Sequence, residues 1–142
     1  MPLVGGGGAG NTAGSNPSGT GSSINYIGNH AYAFSGTFGQ STSQQTLFDF
    51  STGPQYIVGK LTCAGAVEMN TPQSGGITSW QLKINDEVVF LADTDTNAND
   101  QPGQAIIELF IPPFSHINLV NEASSDDADE LTTALFVGRV YE

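Results

Sequence analysis

From Ala31 to Tyr141 the apolar residues fall in short runs with a period of two, and no segment repeats long enough at 3.6 residues to make a helix. Period two sends alternate side chains to opposite faces of an extended chain, so such runs read as strands whose apolar faces must meet. Ile77–Ile84 (ITSWQLKI) is the clearest. Trp80, Leu82 and Ile84 share one face; Gln81, Lys83 and Asn85 share the other. Asn85-Asp86 supplies a tight turn and Glu87–Ala92 returns, which makes a hairpin. Gln45–Phe50 puts Phe48 and Phe50 on one face with Asp49 between them. In Gln104–Ile111 both faces are apolar: Ala105, Ile107, Leu109 and Ile111 point one way, Ile106, Glu108 and Phe110 the other. Pro112-Pro113 must end or bend that strand. Ala31–Phe38, Tyr56–Glu68, His116–Val120 and Leu131–Tyr141 complete the set.

Turn and loop signals fall at Ser51–Pro54, Asn70–Gly76, Asp93–Gly103 and Asn121–Glu130. Seven or eight strands result, depending on whether Tyr56–Glu68 bends at Gly59 or Gly65 into two. The expected fold is all-β, an eight-stranded antiparallel β-sandwich. The closing strand reaches the last residues, which favours a place inside a sheet and a Greek-key jelly roll over an up-and-down barrel. An immunoglobulin-like sandwich stays open: Trp80 suits it, but the chain lacks the paired cysteines.

The first 24 residues differ in texture. Between Gly5 and Ser23 there is no large apolar side chain; Gly, Ser, Thr and Asn dominate. Such residues bury too little area to offset backbone entropy. Residues 1–24 are expected to be a flexible glycine- and serine-rich arm, with Pro2-Leu3-Val4 as its apolar anchor. Residues 25–142 are expected to be the sandwich domain. A disordered tail is the competing reading of the arm.

Charge narrows the function. Three Lys and Arg stand against fourteen Asp and Glu, a formal net charge of -11. Three cations neutralise few phosphates, which argues against direct nucleic-acid binding. Anionic membrane surfaces repel such a chain. Met1–Val4 offers no signal-peptide pattern, and the lone Cys63 reads as a small buried hydrophobe. His30 and His116 have no metal-ligand spacing, and no GxSxG elbow supports a serine nucleophile. The chain is expected not to be an enzyme and to use no cofactor or metal. Asp93–Asp100 alternates oxygen donors like the start of a calcium loop, but Ala98 replaces the needed Gly and Gln104 the needed Glu. A solvated loop and a weak calcium site both stand. The acidic run Glu122–Glu130 reads as a solvated face, or as a docking patch for a cation or a basic partner.

Three segments carry a family resemblance: the glycine-rich arm, the strand–turn–strand ITSWQLKINDEVVF, and IELFIPPFSHINLV followed by LFVGRVY. Together they resemble the small single jelly-roll virion proteins (capsid, head-decoration or vertex type) of bacterial or algal viruses. The resemblance implies a structural protein located in the virion, which self-associates, as a homotrimer by analogy, and contacts other virion proteins. An arm without Lys or Arg favours an outer, decorating role. Pro2, Leu3, Val4, Ile106, Phe110, Pro112 and Pro113 are the candidate assembly residues. The alternative is a carbohydrate- or receptor-binding sandwich module of a spike or tail.

Overall fold

The computed structural model describes residues 24–67, 76–96 and 103–141. Pro2, Leu3, Val4 and the rest of residues 1–23 lie outside them, as do 97–102, which hold the end of the calcium-like stretch. The described residues contain ten strands and no helix: β1 (Ile24–Ile27), β2 (His30–Phe34), β3 (Phe38–Gln40), β4 (Gln45–Ser51), β5 (Tyr56–Val67), β6 (Gly76–Ile84), β7 (Glu87–Thr96), β8 (Gly103–Ile111), β9 (His116–Ala123) and β10 (Asp127–Tyr141). They form two antiparallel sheets in a sandwich-like arrangement. Sheet I runs β1-β2-β10-β5-β8, with β3 also paired to β10; sheet II runs β4-β9-β6-β7.

Ten strands replace the expected eight for two local reasons. β1 has four residues and β3 three, too few to show a period. The run Ala31–Phe38 is also broken at Gly36, whose φ of 77° interrupts the extended chain. Its two pieces pair with successive stretches of β10. Tyr56–Val67 is one strand, not two. Both acidic loops are shorter than expected. β7 continues to Thr96, β9 continues to Ala123 and β10 begins at Asp127, which leaves 124–126 as the turn. Ile24, at the end of the expected arm, is the first residue of β1 and fully buried.

Alternation sets the core. From sheet II, Leu47, Phe48, Phe50, Trp80, Leu82, Ile117 and Leu119 point inward; from sheet I, Ile24, Tyr26, Ile57, Leu61, Cys63, Ile111, Ala134 and Phe136 meet them. Each large side chain removed from water contributes about 1.5–3 kcal/mol. A register shift in β4 between Thr46 and Phe48 lets Leu47 and Phe48 both reach the interior. Burial pushes the Cys63 thiol up to about 12, as suits a packed hydrophobe.

At the centre of sheet I, Gly59 and Gly138 are direct cross-strand partners. A Cβ on Gly59 would collide with the Val137 carbonyl and come within 2.8 Å of the Phe136 ring. Only glycine lets that ring lie over the two backbones. The β6–β7 hairpin turns on Asn85 and Asp86, with φ of 52° and 67°, in keeping with the polar dipeptide at that point of the sequence.

Candidate functional site

The outer face of sheet I is a grid that can be read from the pairing. One row across β1, β2, β10, β5 and β8 is Ile27, His30, Arg139, Val58, Phe110. The next is Asn25, Tyr32, Val137, Lys60, Glu108, and the third is Phe34, Leu135, Thr62, Ile106. Ile27, Tyr32, Phe34, Val58, Leu135, Val137, Ile106 and Phe110 are all exposed. Water therefore meets a broad apolar surface, of the kind that marks an interaction site. Within these rows Glu108 is the only carboxylate and sits directly across from Lys60. Lys60 and Arg139 are two of the chain's three cations. A protein with a net charge of -11 thus presents one large face almost free of negative charge.

An aromatic cluster sits at one end of this face. Tyr56 and Tyr141 are cross-strand partners, stacked with centroids 5.2 Å apart and planes 10° from parallel. Phe110 lies 5.4 Å from Tyr56 on the other side. The Arg139 guanidinium carbon is 5.6 Å from the Tyr141 ring centre, a cation–π distance. Sequence reading finds no cluster among the tyrosines. Parity within each strand is legible, but the cluster forms only once β10 and β8 flank β5, and nothing local sets that order.

Sheet II differs outside. Asp49, Asn118, Lys83 and Val88 form one outward row, and Thr46, Val120, Gln81 and Leu91 another. Exposed apolar residues are concentrated along β7, at Val88, Val89 and Leu91, with Ile77 on β6. A shallow groove of about 170 Å³ has Gln44, Ser79, Gln81, Leu91, Asp93 and Glu122 in its lining. His116 Nε2 lies 2.6 Å from Asp49 Oδ1, both side chains exposed. This pair also escapes the sequence, because it depends on the β4–β9 register. It is a surface pair, worth within about 1 kcal/mol.

Of the predicted assembly residues, the described ones fall at two places on β8 and its end. Ile106 and Phe110 are 55% and 53% exposed on the outer face of β8. Pro112 and Pro113 end β8 and belong to a corner instead. There the Thr52 hydroxyl donates to the Pro112 carbonyl (3.0 Å) and accepts from the Ser115 N–H (2.9 Å). The Phe114 N–H donates to the Gly53 carbonyl (2.8 Å) and leaves its ring 75% exposed. The acidic run is divided rather than uniformly solvated. Glu122, Asp126 and Asp129 are exposed. Glu130 is 2% exposed, because its parity on β10 turns it inward. Asp126 accepts from the Thr42 N–H (2.7 Å) and hydroxyl (3.2 Å), and the backbone N–H bond above all holds its carboxyl below the usual range.

Among the described residues no group of three or more His, Cys, Asp or Glu could hold a metal ion. No helix of the described residues is long and apolar enough to cross a membrane. No protein-family model matches the chain, and no curated protein matches it in sequence.

Proposed function

We propose that this chain is a structural virion protein, a capsid-shell or head-decoration component that self-associates through sheet I and its N-terminal arm on a jelly-roll fold. Strand order supports the fold assignment. The order β2-β10-β5-β8 in one sheet and β4-β9-β6-β7 in the other supports reading the ten strands as a jelly roll with β1 and β3 as short additions at the β2 side. The observation that carries the assembly reading is the outer face of sheet I, broad, apolar and nearly without carboxylates on a strongly acidic chain. It is where another copy can approach with least repulsion. The role is structural rather than catalytic, in a homotrimer by analogy with the resembled proteins, alongside other virion proteins and away from the genome and membranes.

Sedimentation velocity at micromolar protein tests this. An oligomer that strengthens from low to moderate salt is the expected result, because salt screens the -11 of each copy. A monomer at both salts overturns the reading.

The Phe110–Tyr56–Tyr141 cluster supports a second reading, a carbohydrate- or receptor-binding module. Flat aromatic faces take the C–H face of a sugar, and Arg139 lies beside them. A glycan array separates the two: retention by a monomeric chain, lost in Tyr141→Ala, favours this module.

A further inference from the structure

We infer that two copies of this chain join edge to edge through β8, pairing antiparallel about Ile107 so that the two sheets I become one continuous sheet. This rests on the reading of self-association and adds to the contact through the outer face of sheet I a second, two-fold contact at the edge of the same sheet. A strand at the end of a sheet leaves half its backbone N–H and C=O groups without a ladder partner, and native proteins defend such edges with charge, bulges or brevity. Among the described residues, every sheet edge but one is defended: β3, paired only with β10, has three residues. β1 has only four residues. β7 carries Glu87 and Asp93, with a register irregularity opposite Leu82 and Lys83. β4 is broken by its own irregularity and carries Asp49. β8 has none of these devices. It pairs over its nine residues without an irregularity, is apolar on both faces, and its one carboxylate, Glu108, already faces Lys60. Among the described residues no strand pairs with its other side.

The occupant follows from charge and pattern. A second copy's β8 brings the same apolar, period-two strand, its single carboxylate set cross-strand from Lys60, to an edge that adds little to the repulsion between two copies of net charge -11. Centring the antiparallel pair on Ile107 keeps every residue on its own face and uses the whole strand. Ile107 meets Ile107 of the second copy, and Ile106 meets Glu108 in each direction. That last contact is the signature of this register.

The test uses the full chain, with sedimentation equilibrium as readout. Ile106→Lys and Ile106→Glu change an exposed position, so folding is spared. Across the proposed register, the introduced lysine would face Glu108 of the second copy twice, and the introduced glutamate would face it as a like charge. The expected result is dimerisation about 3-fold tighter for Ile106→Lys and about 10-fold weaker for Ile106→Glu. Ile107→Cys in a Cys63→Ser background should give a covalent dimer on mild oxidation, whereas Leu91→Cys on the β7 edge should not. If both charged variants weaken association alike and Ile107→Cys stays uncrosslinked, β8 pairing is overturned and the face-mediated reading survives. A wild-type chain that stays monomeric overturns both.

Discussion

The two sheets are alike on their inner sides and unlike on their outer sides. Inside, each contributes one row after another of fully buried aliphatic and aromatic side chains, Phe136 and Leu61 from sheet I, Phe48, Trp80 and Leu82 from sheet II. Outside, sheet I shows Tyr32, Val137, Val58 and Ile106 around the cross-strand neighbours Lys60 and Glu108, whereas sheet II shows Asp49, Asn118, Lys83 and Gln81, its exposed apolar residues gathered mainly on β7. Folding explains the inner sides of both. It does not explain the outer side of sheet I, because stability alone gains nothing from apolar groups left in water. The contrast separates what the fold requires from what a partner requires.

The largest expected effect tests the inner equivalence. Phe136→Ala and Phe48→Ala should each cost about 3–5 kcal/mol in denaturant unfolding, since both empty a fully buried site. A large loss for one and almost none for the other would break the claim that the sheets share one core. Next comes the close crossing inside sheet I. Gly59→Ala drives a methyl into the Val137 carbonyl and within 2.6 Å of the Gly138 Cα, so backbone must move. A loss of about 1–3 kcal/mol is expected. A neutral result would mean that β5 and β10 are less tightly apposed there.

How much of this contrast is written in the sequence varies by residue. The hairpin ITSWQLKINDEVVF and the placement of Trp80 in the core are legible, because alternation and an Asn-Asp turn are local signals. The outward direction of Ile106 and Phe110 is legible for the same reason. Strand order is not written locally, so the contacts joining Tyr141 to Tyr56 and Tyr56 to Phe110, and Asp49 to His116, stay out of sight. Glu130 defeats the composition signal, because a dense run of acids looks solvated whereas its position on β10 makes it face inward. The short β1 and β3 carry too few residues to show any period.

The outer contrast itself is tested by one matched pair. Val137→Asp, at the centre of the sheet I face, should weaken self-association about 10-fold or more while costing at most about 1 kcal/mol of folding stability. Gln81→Asp, at the middle of the sheet II face, should leave association unchanged, as read by sedimentation in parallel with thermal unfolding. Equal losses for both would erase the distinction between the faces and turn attention to the edges.

The smallest expected effect lies where the chain passes between the sheets. Thr42 sits between β3 of sheet I and β4 of sheet II, and Asp126 between β9 of sheet II and β10 of sheet I. The Asp126 carboxylate, by accepting from the Thr42 N–H and hydroxyl, ties one crossover to the other. The bond to that N–H favours the charged form, so the folded-state pKa lies below the unfolded one. By linkage, the stabilisation is complete above the ordinary carboxylate range and is lost as pH falls through the lowered folded-state value. Asp126→Asn should therefore flatten the acid side of a plot of unfolding midpoint against pH and leave the neutral side nearly unchanged. Thr42→Val, which keeps the backbone N–H, should retain most of that slope. If Thr42→Val flattens the curve as much as Asp126→Asn, the hydroxyl rather than the backbone N–H holds the two crossovers together.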